Sequence, residues 1–366
     1  MNIEYKKIDM MSFNLHTIKT DRFKTITIRV CLRDKIKKEE ITLRNVLASF
    51  LTYSTEKYPT KRELALKAQD LYAVNVYTKS YRSGKFNMIN FCMSMLNEKY
   101  TEKGMLEESI KFLSEIVFHP NFKNNTCFNE AFRYLYDSVA NSMKEIKENP
   151  TTYSVVRMLE EMDSDMPYGY REFGYMEDLN TLTKDKLIDY YNNVINNSLV
   201  DIYVIGNIDS NEIEKLFKNY FSFPTYKRPK ELQLIEHDKL PSKIKTVNEK
   251  IEGNQSKLSI GCKIGSLTEF ERNYVLTVYN MILGGNSESK FFQIIREQNS
   301  LAYYVYSSLN KLDSLMIIKA GISKEHYQKT IKLIKKLMKE MELGNFTDEH
   351  IQVVKENYLS LLKEIE

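Results

Sequence analysis

Histidine and cysteine are scarce, with five and four in 366 residues. His16, His119, His237, His326 and His350 include no two at the spacing that puts a ligand pair on one helical face. Cys31, Cys92, Cys127 and Cys262 form no CxxC or Cys/His pattern, so they read as reduced structural thiols rather than a disulfide framework or zinc knuckle. Long apolar runs are also missing, and the start MNIEYKKIDM is charged where a secretory leader needs an apolar core. These absences predict no membrane span and a cytoplasmic protein. Surplus charge is missing too: 53 Lys and Arg against 49 Asp and Glu leave +4, with the lysines scattered, which argues against nucleic acid as a partner.

What is present is the composition of a globular protein, 42% hydrophobic and 28% charged, in a chain long enough for two domains with substantial cores. Residues 12–19 and 23–32 alternate as strands do, and Thr20-Asp21-Arg22 between them predicts a hairpin. Helical spacing follows at residues 42–52 and, after Pro59-Thr60, at 61–71. Strands are expected at 73–80 and 86–95, helices at 103–117, 129–148, 152–162 and 183–193, a buried strand at 199–206 and a helix at 210–220. The proline-punctuated polar stretch from Pro224 to Pro241 is the best boundary. It predicts domains over 1–225 and 246–366, joined by a linker over 226–245.

The second part repeats the first. Residues 256–263 parallel 23–30, 270–283 parallel 42–52, 301–306 parallel 71–76, 315–322 parallel 86–95, and 326–341 parallel 103–117. The order of elements predicts an α+β fold made of a duplicated unit, an antiparallel sheet with helices. In the second copy nothing corresponds to 183–220, so that copy reads as C-terminally incomplete.

The densest signal lies at residues 284–308. Gly284-Gly285 permits a tight turn, Asn286, Ser287 and Ser289 can cap a helix, and Phe291, Phe292, Ile294 and Ile295 supply its apolar side. The helix should end near Ser300 and pass into a tyrosine-rich strand, Ala302 to Ser308. This run, with its Gly-Gly, its arginine and its Leu301-Ala302-Tyr303 strand start, resembles the C-terminal half-domain signature of the insulinase (pitrilysin) type zinc metallopeptidases. The resemblance implies that Arg296 and Tyr303 hold the backbone of a peptide substrate against a zinc site in the opposite half. Taken alone, the same residues also fit a surface ion pair of Arg296 with Glu297 or Glu288 and a half-buried tyrosine.

An active enzyme of that family carries His-x-x-Glu-His on the first long helix of its N-terminal half, two ligands and a general base on one face. Set on this chain, the motif falls on Asn45, Val46, Leu47, Ala48 and Ser49, followed by Thr55. Asn45, Ala48 and Ser49 are thus degenerate zinc-motif positions. The distant glutamate ligand would fall near Asn141 or Ser142, or one turn on at Glu145. Further likeness lies in Glu145 to Pro150, Phe173-Gly174, Asn180 to Thr183 and the strand from Asp201 to Asp209, all scaffold features.

Losing the metal motif while keeping the Arg296 and Tyr303 pair resembles the noncatalytic, YmfF-type subunits of two-chain members. That resemblance implies no activity and no cofactor in this chain, zinc in an insulinase-type (YmfH-like) partner subunit, a peptide substrate, and an association with elongation factor P 5-aminopentanol modification. It also allows a homodimer of the isolated chain. A purely structural homologue kept for assembly, and a peptidase with an unconventional site, are the other readings.

Overall fold

The stretch at 23–32 forms a strand but not the expected hairpin. In the computed structural model, which describes residues 3–224, 234–253 and 255–365, a six-stranded sheet contains β1 (Glu4–Asp9), β2 (Asn14–Lys19), β3 (Thr25–Lys35), β4 (Asn75–Ser83), β5 (Phe86–Leu96) and β6 (Leu199–Gly206). Their order is β1-β2-β6-β3-β5-β4, so β6 lies between the two strands expected to pair. It runs parallel to β2, with Asn14 opposite Asp201, and antiparallel to β3, with Ile28 opposite Val204. The physical reason is burial. Val200, Ile202 and Val204 are at most 1% exposed, and a strand this apolar gains more from a central place with two neighbours than from an edge. Strand β1 escaped the sequence reading because EYKKID is almost wholly exposed and carries no apolar alternation.

The chain divides into two units. The first holds the described residues to Lys144 and those from Arg171 to Pro224, and the second holds Glu145–Tyr170 and the described residues from Leu234 onward. In the first, Val46, Leu47 and Phe50 of the helix Ile41–Leu51 share a core with Ile28, Val30, Phe91 and Met93 of the sheet. Thr60 and Glu63 close a reciprocal cap on the helix Lys61–Asp70, which fixes the start that Pro59-Thr60 predicted.

In the second unit, β7 (Ser256–Lys263), β8 (Ala302–Asn310) and β9 (Leu315–Ile322) pair in the order β7-β9-β8, all antiparallel. This repeats β3-β5-β4: in each unit the third strand of the repeat separates the first two. The fold is α+β and duplicated, as the order of elements predicts. Residues 145–170, read from the sequence as part of the first half, pack in the second unit. Asn149 caps the helix Pro150–Met162, whose Ser154 hydroxyl lies 2.9 Å from that of Ser259, and Met162 and Met158 cover Gly261 of β7. Amphipathic spacing marks which face of such a helix is covered but not which sheet covers it. Residues 225–233 of the expected linker region lie outside the described residues. No helix among the described residues is long and apolar enough to cross a membrane.

The duplication reaches single side chains. Arg44, fully buried on the first helix, donates from Nη1 to Asn87 Oδ1 at 2.8 Å near the start of β5. Arg272, 6% exposed on the helix that spans 271–285, donates from Nη1 to Ser314 Oγ at 2.8 Å, one residue before β9. Each arginine ties the first helix of its repeat to the start of the third strand of that repeat. Arg272 has the Glu236 carboxylate at 2.7 Å as counterion, whereas Arg44 bonds the Glu172 carbonyl at 2.9 Å and its pKa is drawn down by burial.

Candidate functional site

The positions read from the sequence as a degenerate zinc motif, Asn45, Ala48 and Ser49, sit on the helix Ile41–Leu51. Asn45 is 6% exposed; its amide nitrogen donates to the carbonyls of Ile41 at 3.0 Å and Glu172 at 2.8 Å. The Ser80 hydroxyl, on β4, donates to Asn45 Oδ1 at 2.6 Å. Ala48 offers only its carbonyl, which accepts from the Thr78 hydroxyl, and Ser49 is exposed. A zinc ion needs deprotonated thiolate, imidazole or carboxylate donors in a near-tetrahedral set. One satisfied carboxamide, one methyl and one outward hydroxyl do not fit that requirement. Among the described residues no group of three or more His, Cys, Asp or Glu could hold a metal. Of the positions considered for the distant ligand, Asn141 and Glu145 are exposed and the Ser142 hydroxyl donates to the Ser138 carbonyl at 3.1 Å.

The residues that hold this helix were not legible as a site. Arg44 and Asn45 share the Glu172 carbonyl as acceptor, and Thr42 Oγ1 accepts from the Tyr175 amide at 3.0 Å, so the loop 171–175 is stapled to the motif helix. Gly174 makes this approach feasible. Its φ is +87°, and a Cβ there would lie 2.1 Å from Thr42 Oγ1. The available signal was the Arg-Asn pair that recurs as Arg44-Asn45 and Arg272-Asn273 at matching places in the two copies.

Arg296 and Tyr303 lie in the second unit, on either side of one turn. Asn286 receives the Glu288 amide at 2.9 Å, and the helix Phe291–Gln298 that follows is wound with π-type, i to i+5, hydrogen bonding. Phe291 and Ile295 are fully buried, which turns Arg296 outward; its side chain is 42% exposed. The guanidinium lies over the Phe292 ring at 4.6 Å, and Nε is 3.4 Å from Glu297 Oε1. Ser300, at φ 49°, turns the chain into β8, and the Leu301 amide closes the turn on the Ile295 carbonyl at 3.0 Å.

The ladder of β8 with β9 shifts register between Ala302 and Tyr304, so Tyr303 is the extra residue of a bulge. Bulges re-aim side chains, and Tyr303 is 61% exposed. The glycine pair acts differently from the tight turn expected of it. Gly284 has φ −162°, an extended value, and its role is close packing, since a Cβ would meet the Phe291 ring and Ser307 Oγ, each at 2.6 Å.

Of the histidines, His16 is buried between the rings of Tyr5 and Tyr203, 3.3 Å from Asp201, and His237 is buried against the Asp313 carbonyl at 3.2 Å. Burial, then Lys263, lowers the His237 pKa. All four cysteines are free thiols, and burial pushes Cys31 up to about 12 and Cys262 to about 11.

Residues 181–358 match the sequence family described as the peptidase M16 inactive domain. Over 345 residues the chain is 28% identical to the "Probable inactive metalloprotease YmfF" of Bacillus subtilis (strain 168), covering 93% of this chain and 80% of that protein. It is 26% identical over 253 residues to the "Uncharacterized zinc protease YmxG" of the same organism, covering 65% of this chain and 59% of that one. Among solved structures, a conserved protein from Enterococcus faecalis V583 superposes with a TM-score of 0.89 at 25% identity, covering 98% of this chain and 85% of that one. A peptidase M16 inactive domain from Pseudomonas fluorescens gives 0.77 at 14% identity, covering 98% and 84%, a likeness of fold alone. These similarities, with Asn45, Ala48 and Ser49 at the positions read from the sequence as the zinc motif, support a noncatalytic insulinase-like homologue.

Proposed function

We propose that this chain is the peptide-holding subunit of a two-chain peptidase, completing the active site of a zinc-bearing insulinase-type partner. The observation that carries the reading is a contrast in availability. Every polar atom of the Asn45 side chain is engaged inside its own unit, whereas the Arg296 guanidinium and the Tyr303 side chain stand open to solvent at a helix end and a bulge.

In that role, Arg296 and Tyr303 donate hydrogen bonds to a carbonyl of the bound peptide and hold it in place. A guanidinium offers several donors in a fixed fork, and a phenol adds one more, which suits a peptide carbonyl whose negative charge grows during attack. Stacking on Phe292 restricts the guanidinium and limits the entropy lost on binding. The metal chemistry belongs to the partner, and this chain supplies orientation.

The Arg296–Glu297 ion pair at 3.4 Å is the one observation that favours a purely structural homologue instead. It is a weak competitor, because both side chains are about half exposed and pairs of this kind contribute little. Binding of a fluorescent peptide to the full chain, compared with the Arg296→Ala and Tyr303→Phe variants, separates the two. Loss of binding with an unchanged thermal midpoint supports the peptide role, and unchanged binding removes it.

A further inference from the structure

Two lysines, on β7 and β9, are held on the rings of Tyr304 and Tyr306 with no carboxylate in ion-pair range among the described residues. On β8, Tyr304 and Tyr306 face the same way, with ring centroids 5.9 Å apart. Lys319 of β9 is the cross-strand partner of Tyr306, and its Nζ lies 5.6 Å from that ring centroid. Lys257 of β7 is one strand farther away, yet its Nζ lies 5.2 Å from the Tyr304 ring. The register explains this reach. Lys257, Gly321 and Tyr304 form one row across the three strands, and Gly321 has no side chain to separate the other two. A Cβ at Gly321 would lie 2.5 Å from Tyr304 Cε1, so the ring occupies the gap and the lysine meets it there.

Some lysines of this unit meet carboxylates: Lys245 meets Glu161 at 2.7 Å, Lys290 meets Glu340 at 3.4 Å and Lys339 meets Glu342 at 2.8 Å. Neither Lys257 nor Lys319 has an ion pair among the described residues; Lys257 bonds only the neutral side chain of Gln255. A cation held over a ring keeps its charge while part of its hydration is displaced by the aromatic face, which suits it to an incoming carboxylate. Tyr306, 39% exposed, leaves the cluster open to solvent.

We infer that the row Lys257, Tyr304, Tyr306 and Lys319 selects acidic side chains, so that the peptide bound at Arg296 and Tyr303 is one rich in Asp or Glu. The inference rests on the peptide-holding role proposed above. It adds a preference in side-chain charge to a site that otherwise grips backbone. Two lysines and a net charge of +4 are too little for a nucleic acid backbone, whose affinity comes from many phosphate contacts.

The test uses the full chain and two fluorescein-labelled ten-residue peptides, one with Glu at alternate positions and one with Gln there, read by anisotropy at low and high salt. The Glu peptide should bind roughly tenfold more tightly, with the advantage shrinking at high salt. Lys257→Gln with Lys319→Gln should abolish that advantage and leave the Gln peptide within about twofold, while Lys332→Gln with Lys336→Gln on the helix Tyr327–Glu342 should change nothing. Arg296→Ala should weaken both peptides alike. A Glu advantage that survives the Lys257/Lys319 change overturns the inference and leaves the peptide role standing. Tighter binding of a labelled ten-nucleotide oligothymidylate than of the Glu peptide overturns it in favour of nucleic acid. Failure of both peptides to bind removes the underlying role and this preference together.

Discussion

The Ser80 hydroxyl donates to the Asn45 carboxamide oxygen at 2.6 Å, across from β4 to the helix Ile41–Leu51. With the Ile41 and Glu172 carbonyls on the amide nitrogen, Asn45 serves as an internal fastener. Its contribution is structural, and it can be measured as such.

Asn45→Ala removes three hydrogen bonds and leaves the Ser80 hydroxyl without its acceptor. The Glu172 carbonyl keeps Arg44, which softens the loss. Urea unfolding should show a destabilisation of about 1–3 kcal/mol. The combined change Asn45→His, Ala48→Glu and Ser49→His should still bind no stoichiometric zinc by elemental analysis, because Asn141 and Ser142, the first positions read for the further ligand, carry no carboxylate, and a ligand set also needs outer partners to orient it.

Gly174→Ala tests the staple from the other side. The new methyl group would lie 2.1 Å from Thr42 Oγ1 in a backbone conformation, φ +87°, that L-residues rarely adopt. A loss of about 1–3 kcal/mol is expected. Faster hydrogen exchange at the Tyr175 amide, which donates to Thr42 Oγ1, would locate it.

How much of this was legible in the sequence depended on the range of the interaction. Strands 199–206, 256–263 and 315–322 and the helix 210–220 could be read to the residue, because their apolar periodicity is local. The insertion of β6 between β2 and β3 was not legible, since the partners are separated by more than 160 residues and each reads as a strand with or without the other. The helix Pro150–Met162 was legible as a helix, but its place in the second unit depends on Gly261 and Ser259, far along the chain. Arg296 and Tyr303 stood out through their frame of neighbours. The bulge that exposes Tyr303 did not, because one unpaired residue leaves no mark on the alternation around it.

Burial of Cys31 raises its pKa from an ordinary 9.0 to about 12, so the fold favours the thiol over the thiolate. The sign follows directly. This contribution to stability is fully present below pH 9, where the unfolded thiol is also protonated, and is lost as the pH rises from 9 towards 12. Cys31→Ser should therefore flatten the alkaline fall in stability over that window. In the native protein at pH 8, a thiol reagent should leave Cys31 unmodified until denaturant is added.

His237 carries the opposite sign. Its pKa is lowered first by burial and then by Lys263, so its contribution is present above the ordinary histidine value of 6.5 and is lost as the pH falls below it. Denaturation midpoints of wild type and His237→Gln should converge on acidification, with the wild type losing more.

The central claim is that this chain holds peptide for a zinc that it does not itself bind. The most direct measurement combines it with a zinc-bearing insulinase-type subunit and compares peptide turnover of the complex using wild type, Arg296→Ala and Tyr303→Phe, alongside the metal content and thermal midpoint of each purified chain. The account predicts no stoichiometric zinc in this chain, turnover only in the complex, and a fall of roughly tenfold or more in either variant, the scale of losing one oriented donor, with the midpoints unchanged. Stoichiometric zinc in the isolated chain, or turnover indifferent to Arg296→Ala with Tyr303→Phe altering stability alone, would contradict it.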